Sequence, residues 1–482
     1  MLATAARQLV SLGGVAVLAR LLDPKAYGLM GMAATITVFL INFRDLGTTA
    51  AVVQRKELNQ RLLSSLFWLN MGFGLLLTVL VAGLSAPAAA FFHDDQVGPI
   101  LRAISFSFVL ASAGMIHQAL LTRDMSFHHV AMADFAASLA GYAVAIACAL
   151  RGWGVWSLVA SNLTIPLVST VLYWVFCAWR PSLVVDRTEI GQVFGFSANL
   201  TGFGMVNFFS RNADNIIIGR VLGAQPLGLY QMAYNLMLYP LQNVSSVIAQ
   251  VLFPAFARIQ DDNERFRSAY VRSCLLIGLL TFPLIAGLGS IADPLLGTAL
   301  GEKWIPAVTT FQILAPVGLV QSIFTTMGQI FISKGRTDLL FRWGIFSCVV
   351  LVTAFFIGVP YGIAGVAVSY VVAYLAIIAP SGFLLAFRLI ELPLGQFLKP
   401  FLPQLLITAG MAFSAWGTLR VLGEWGVGNW PRLIAAITVG AVVYIGALLL
   451  FRPPVMRHLS QDVLAKASHP AARKLAAMLL SN

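Results

Sequence analysis

Residues 362–385 read GIAGVAVSYVVAYLAIIAPSGFLL, an apolar stretch without a single charged side chain. At a helical rise of about 1.5 Å per residue, roughly 20 such residues cross a hydrocarbon core about 30 Å thick. Comparable stretches recur along the whole chain of 482 residues, which is 59% hydrophobic and 10% charged. Because soluble domains carry roughly 25% charged residues, the sequence predicts an all-α polytopic membrane protein.

Fourteen candidate transmembrane spans follow from apolar runs that end at charges or at Pro and Gly clusters. They are Leu2–Leu22, Tyr27–Phe43, Leu63–Leu84, Val97–Leu121, Val130–Leu150, Val155–Ala178, Phe194–Ile218, Leu227–Val251, Ala269–Leu288, Ile305–Phe331, Trp343–Val359, Gly362–Leu385, Phe401–Leu419 and Trp430–Phe451. With both termini in the cytoplasm, the cytoplasmic segments hold more than twice as many Lys and Arg residues as the external loops. The positive-inside rule therefore predicts cytoplasmic termini.

Charge and composition exclude several classes of function. The net charge is +12, but the basic residues are spread among short loops rather than gathered on one soluble face, so we predict no nucleic-acid partner. The four cysteines lie inside apolar runs, without paired metal-ligand spacing. The sequence also lacks a phosphate-binding Gly loop with its Lys, and no catalytic constellation emerges. We therefore predict no enzyme activity, no cofactor and no metal site.

The chain partly repeats itself with an offset of 200 residues. Residues 19–33 read ARLLDPKAYGLMGMA and residues 219–233 read GRVLGAQPLGLYQMA, with identity at six of fifteen positions. Six spans separate the copies, so the two units point the same way through the membrane, as in transporters built from parallel repeats. We predict two six-helix bundles (1–180 and 188–390, spans 1–6 and 7–12), two additional transmembrane helices (397–452) and a basic amphipathic cytoplasmic tail (453–482).

Polar residues inside the predicted spans mark a candidate substrate path, since ionisable groups in a membrane usually face a cavity or a partner. In span seven, Asn207, Arg211 and Asp214 or Asn215 follow i, i+4, i+7/i+8 spacing, which places them on one helix face. Arg211 would attract phosphate or acidic sugar, and Asp214 would pair with it or respond to a coupling cation. The alternative is an Arg211–Asp214 pair that only holds the helix in register.

Further candidates lie in spans eight, one and four. Asn235 and Gln242 are one heptad apart in span eight, and their amides suit either sugar hydroxyls or neighbouring helices. Arg7 in span one and Arg102 in span four are candidates for the same path, or for side chains that reach out to the headgroups.

Several segments resemble bacterial polysaccharide exporters, the lipid-linked oligosaccharide flippases of the multidrug/oligosaccharidyl-lipid/polysaccharide superfamily. The similar segments are Ala19–Pro24, Tyr27–Leu29, Asn212–Arg220, Leu227–Tyr230 and Phe253–Asp262, and the likeness to exporters of the colanic acid and teichuronic acid type covers roughly residues 10–390. The resemblance implies that undecaprenyl-diphosphate-linked oligosaccharide repeat units cross the bacterial inner membrane by alternating access, for surface polysaccharide biosynthesis. It also implies a polyprenyl-diphosphate-linked glycan substrate, contact with membrane lipids, and a polysaccharide polymerase and co-polymerase as partners.

Two other functions are compatible with the hydropathy pattern. A cation-coupled multidrug or small-solute antiporter requires a buried acid, for which Asp214 is the candidate, whereas span one contains no carboxylate between Leu2 and Leu22. A membrane-embedded glycan polymerase or acyltransferase needs a sizeable external loop or a membrane-embedded His that holds the reacting groups, and the sequence supports neither convincingly.

Overall fold

Helices make up most of the residues that the computed structural model describes, which are 2–44, 48–55, 57–184, 186, 208, 211–245, 248, 252 and 256–453. In the first half they are α1 (Leu2–Leu21), α2 (Pro24–Arg44), α3 (Thr48–Gln54), α4 (Gln60–Gly83), α5 (Ser85–Phe92), α6 (Val97–Arg123), α7 (Phe127–Leu150), α8 (Val155–Phe176) and α9 (211–221). Those that follow are α10 (Ala224–Pro240), α11 (Asn263–Ser290), α12 (Ala292–Leu295), α13 (Pro306–Phe324), α14 (Met327–Ser333), α15 (Thr337–Gly358), α16 (Gly362–Ala373), α17 (Ala379–Arg388), α18 (Leu394–Leu398), α19 (Leu402–Glu424) and α20 (Asn429–Phe451).

Ten helical stretches within the described residues are long and apolar enough to cross a membrane. The predicted fold class, an all-α polytopic membrane protein, is confirmed, and the count of fourteen spans stays a prediction. One of the ten stretches, Thr337–Arg388, contains two of the predicted spans, because a 3₁₀ turn at Val359–Tyr361 and the positive φ of Gly362 reverse the chain inside it. Predicted span seven lies largely outside the described residues, and the short helices α3 and α5 lie between predicted spans.

The chain divides into two compact units, Met1–Gln231 and Met232–Asn482. In the first, α6 packs against α4 and α8, α8 packs against α7, and α1 lies on α7. Small residues permit these approaches, because a Cβ added at Gly74 would overlap Ser112, and one added at Gly114 would overlap Thr170. Close backbone packing of this kind replaces the hydrophobic effect as the force that joins helices in lipid. The predicted boundary near residues 180–188 stays a prediction.

In the second unit, α11 packs against α13 and α19, and α19 packs against α20. Pro283 inside α11 has no N–H, so the carbonyl oxygen of Leu279, four residues earlier, lacks its usual helical donor. The hydroxyl of Tyr444 on α20 donates to this oxygen at 2.8 Å. One turn earlier, the Gln404 amide on α19 donates to the Leu275 carbonyl at 3.3 Å. The two C-terminal helices are therefore docked on α11 through polar contacts to its backbone.

Each unit also contains a basic side chain that binds backbone carbonyls of a neighbouring segment. In the first unit, Arg123 at the end of α6 donates to the carbonyls of Val52 and Arg55, at 2.8 and 2.5 Å. In the second, Lys334 at the end of α14 donates to the Gln260 carbonyl and, at 2.7 Å, to the Asn263 side chain. Both contacts lie where a helix C-terminus attracts positive charge, and we refer to them as the Arg123 clasp and the Lys334 clasp.

Candidate substrate path

The polar residues of α9 do not share one environment. Arg211, at the start of the described helix, is exposed, and Asn215 one turn later is half-buried. Asp214 is buried, with 3% of its surface exposed. Asn207 lies outside the described residues, so its place on the predicted polar face stays a prediction. Arg211 is therefore the exposed member of this set, whereas Asp214 is buried.

Asp214 is bound within the protein rather than to Arg211. Its Oδ2 accepts a hydrogen bond from the buried Tyr230 hydroxyl of α10 at 3.0 Å, and its Oδ1 accepts one from the Asn215 backbone N–H at 2.8 Å. Asn215 in turn accepts a hydrogen bond from the Gln231 amide at 3.3 Å. The predicted Arg211–Asp214 pair is not formed, because the carboxylate faces α10 and the guanidinium faces outward. Asp214 joins α9 to α10.

Asn235 and Gln242, in the second unit, are both exposed. Asn235 lies on α10, and Gln242 lies in a π-helical turn, Leu241–Ser245, that directly follows Pro240 at the end of that helix. Such π-helical turns are frequent at functional sites. Two exposed amides about two turns apart can donate to and accept from sugar hydroxyls.

Arg7 and Arg102 occupy different surroundings in the first unit. The Arg7 side chain is 50% exposed, and its Nη1 lies 3.3 Å from Oδ2 of Asp134 on α7. The other oxygen of Asp134 accepts a hydrogen bond from Tyr173 of α8 at 2.5 Å. Arg102 is exposed near the start of α6. Because a guanidinium stays charged at all physiological pH values, these residues and Arg211 present cations on membrane helices.

The repeated sequence segments meet at a helix crossing in the first unit. A Cβ added at Gly28 of α2 would overlap the carbonyl oxygen of Ala224, and one added at Gly228 of α10 would overlap that of Pro24. One turn further on, Gly31 lies against the Gln231 side chain. The glycines that the two repeats share are therefore the residues that let α2 and α10 touch, and this contact lies beside the Asp214–Tyr230 hydrogen bond.

Some residues of these contacts are not evident from the sequence. Asp134 is an acid near the start of a predicted span, and nothing in the sequence indicates that Arg7, 127 residues earlier, contacts it. Tyr230 and Gln231 lie within the second copy of the repeat, and this position was the sequence signal that could have identified them. In the part of the chain that the structure describes, no group of three or more His, Cys, Asp or Glu side chains is placed to hold a metal ion.

An internal sequence repeat and charged and amide side chains on membrane helices are typical of a transporter-type membrane protein. The chain has the fold of the lipid II flippase MurJ in an inward closed conformation, with a TM-score of 0.73 and 14% identity over 93% of this chain and 98% of that one. It is also similar to a multidrug resistance MATE family transporter of the MOP superfamily in an inward-facing conformation, with a TM-score of 0.64 and 14% identity over 80% of this chain and 94% of that one.

The chain belongs to the polysaccharide biosynthesis protein family Polysacc_synt_3, which matches residues 17–309. It is 29% identical to the lipopolysaccharide biosynthesis protein WzxC of Escherichia coli K12 over 71% of this chain and 70% of that protein. It is 28% identical to the teichuronic acid biosynthesis protein TuaB of Bacillus subtilis 168 over 86% and 87% of the two chains. The succinoglycan biosynthesis transport protein ExoT of Rhizobium meliloti 1021 is 26% identical over 95% of this chain and 92% of its own length. The predicted family is confirmed.

Proposed function

We propose that this protein translocates undecaprenyl-diphosphate-linked oligosaccharide repeat units across the bacterial inner membrane by alternating access, for surface polysaccharide biosynthesis. The observation that carries the proposal is the alignment with proteins of three polysaccharide systems, which covers 71%, 86% and 95% of the chain; the relative aligned over 95% is named a transport protein. The similarity in fold to MurJ supports it, since that protein is a lipid II flippase. The protein is a transporter rather than an enzyme.

The exposed polar residues fit the chemistry of this substrate. A diphosphate cannot enter hydrocarbon without a large desolvation penalty, so it needs a hydrated path with fixed positive charge. Arg7, Arg102 and Arg211 supply guanidinium groups, which match phosphate oxygens in a bidentate manner. Asn235 and Gln242 supply amides for the sugar hydroxyls. The lipid tail remains in the bilayer, where it costs nothing to solvate.

The same substrate class defines the location and partners. The protein lies in the inner membrane with both termini in the cytoplasm, which is supported by the excess of Lys and Arg in the segments assigned to that side. A polysaccharide polymerase and co-polymerase act on the translocated units at the external leaflet. Reporter fusions after Phe451 test the orientation: a fluorescent protein should fold there, whereas alkaline phosphatase activity at that point would contradict it.

The deciding experiment compares glycan location in a deletion strain and in the complemented strain. Loss of surface polymer, with complete lipid-linked repeat units held on the cytoplasmic leaflet, is the expected result. Units that reach the external leaflet but stay unpolymerised would contradict a flipping role and indicate a polymerase. Normal surface glycan with altered drug sensitivity would indicate an antiporter. The structure favours the flippase, because Asp214, the candidate coupling acid, is buried and already accepts a hydrogen bond from Tyr230.

A further inference from the structure

Three helices of the first unit meet at one carboxylate. Asp134 of α7 accepts from Arg7 of α1 through Oδ2 at 3.3 Å and from Tyr173 of α8 through Oδ1 at 2.5 Å. We refer to these residues as the Arg7–Asp134–Tyr173 triad. It contains one cation, one anion and one neutral donor, and each carboxylate oxygen has one of the two donors.

The two partners of Asp134 differ in their access to the surroundings. Tyr173 is buried, with 5% of its surface exposed, and binds the carboxylate from the protein interior. The Arg7 side chain is 50% exposed and that of Asp134 is 29% exposed, so the ion pair lies on the exposed side of the contact between the three helices. Only one guanidinium nitrogen contacts the carboxylate within hydrogen-bond distance. A guanidinium carries five N–H donors, so Arg7 retains donors that an incoming anion can use.

Contacts other than the ion pair also hold α1 against α7. One turn after Arg7, the Ser11 hydroxyl lies 2.9 Å from the hydroxyl of Tyr142 on α7. Two turns after it, Gly14 lets the α1 backbone approach the Tyr142 ring, where an added Cβ would overlap the ring carbons. A hydrogen bond and a close packing contact therefore dock the helix independently of its charged residue. The Arg7–Asp134 pair can open while α1 stays in place.

We propose that Asp134 and Tyr173 are positioning residues for Arg7, and that a diphosphate replaces the carboxylate of Asp134 as the partner of the Arg7 guanidinium. This inference rests on the proposed function and assigns its anion-binding step to α1. In the resting protein Asp134 neutralises Arg7 and holds it in a single place. When the diphosphate arrives, Arg7 exchanges one anionic partner for another, so no unpaired guanidinium has to exist in the membrane.

Tyr173 makes this exchange feasible. A carboxylate that loses its cationic partner inside a protein bears a large cost unless hydrogen bonds remain. Asp134 keeps the Tyr173 hydrogen bond when Arg7 turns to the diphosphate. The Tyr173 hydrogen bond therefore makes the negative charge of Asp134 less dependent on Arg7 for its stabilisation. Loss of the Tyr173 hydroxyl should make the ion pair harder to open.

The test measures binding of farnesyl diphosphate, a short-chain polyprenyl diphosphate, to the full-length protein in lipid nanodiscs. Arg7→Gln should abolish measurable binding. Asp134→Asn removes the competing anion and should tighten binding about two- to fivefold, the range expected for a partly exposed ion pair. Tyr173→Phe should weaken binding, and it should have no effect when combined with Asp134→Asn.

Ser11→Ala is the matched control, because it removes the neighbouring contact between α1 and α7 without changing a charge. It should bind farnesyl diphosphate as the wild type does. Thermal unfolding of each variant in the same nanodiscs establishes that the protein is folded. The proposal is overturned if Asp134→Asn weakens binding as Arg7→Gln does. It is also overturned if Asp134→Asn changes binding by the same factor in the Arg7→Gln background as in the wild type. Either result would indicate a purely structural pair.

Export in cells separates this inference from the proposed function. If the wild type restores surface glycan and Asp134→Asn leaves diphosphate binding unchanged, the triad has no exchange role although the protein is a flippase. If the deletion strain still exports its glycan, the proposed function fails, and the nanodisc affinities alone decide the role of the triad.

Discussion

Gly28 of α2 and Gly228 of α10 make equivalent contacts with each other's helices. Each lies against the backbone carbonyl found four residues before the other, that of Ala224 for Gly28 and that of Pro24 for Gly228. The two residues are also equivalent in the internal repeat, at an offset of 200. A contact that exchanges equivalent positions is what two copies related by a two-fold axis produce. The crossing therefore brings the same position of the two copies of the repeat together.

Alanine at either glycine should disrupt this crossing. Gly28→Ala or Gly228→Ala places a methyl group on a backbone oxygen that cannot move without shifting its helix, which should cost about 1–3 kcal/mol. Thermal unfolding in detergent should show a lower midpoint for both. Gly72→Ala is the control, because nothing lies within 4 Å of a Cβ there and alanine favours a helix. Equal midpoints for Gly28→Ala and Gly72→Ala would contradict the close approach.

Arg211 and Asp214, three residues apart, should behave differently. Arg211→Ala removes an exposed cation and should impair glycan export at an unchanged protein level, whereas Arg211→Lys, which keeps the charge, should retain part of the export. Cell-surface polymer and membrane protein level are measured in the same strains. Wild-type export in Arg211→Ala would remove this residue from the substrate path.

Asp214→Ala should instead lower protein stability. It removes the acceptor of the buried Tyr230 hydroxyl, a loss of about 1–2 kcal/mol. Asp214→Asn keeps an acceptor oxygen at the same place and should lose less. Protein level and unfolding midpoint are the measurements. A stable Asp214→Ala protein that fails to export would contradict the structural role and favour a role in coupling.

Tyr444 and Pro283 should interact in a double-mutant cycle. Tyr444→Phe removes the donor to the Leu279 carbonyl and should cost about 1 kcal/mol. In a Pro283→Ala background the helix regains an N–H for that carbonyl, so the same substitution should cost less. Tyr361→Phe, at a side chain that is 79% exposed, is the control and should be neutral. Strictly additive losses of stability would show that the hydroxyl does not compensate for the proline.

The Arg123 clasp and the Lys334 clasp should each protect the bound segment from trypsin cleavage. Arg123→Ala should speed trypsin cleavage after Arg55 roughly thirtyfold, because each of the two lost hydrogen bonds is worth about 1 kcal/mol. Lys334→Ala should do the same after Arg258 and Arg265, which flank Gln260. Each variant is the control for the other, since its effect should be confined to one unit. Faster cleavage at both segments in either variant would indicate general unfolding.

The fold class and most helix positions could be predicted from the chain alone. Val97–Leu121 and Trp430–Phe451, for example, correspond to α6 and α20 within two residues. This works because an apolar run long enough to span a bilayer has to form a helix there, as every backbone group must be hydrogen-bonded within the segment. Hydropathy did not indicate α3 or α5, because helices of seven and eight residues do not form an apolar run of membrane-spanning length.

The candidate site was predicted less completely. Helical spacing placed Asp214 on the same face as Arg211, whereas the structure turns Asp214 toward Tyr230 and buries it. Residues three apart on a helix differ by about 60° around its axis, enough for one to face a neighbouring helix and the other to stay exposed. Which helix packs against a given face depends on the tertiary structure and cannot be read from the spacing of residues within that helix.

The sequence by itself determined that this is a helical membrane protein with an internal repeat, and it indicated the family, because hydropathy, charge asymmetry and local motifs are written along the chain. Tertiary structure alone decided which polar groups are partners: Arg7 with Asp134 and Tyr173, Asp214 with Tyr230, and Tyr444 with the carbonyl that Pro283 leaves without a donor. These pairs join residues on different helices, and their distances depend on how the helices pack rather than on any spacing in the sequence.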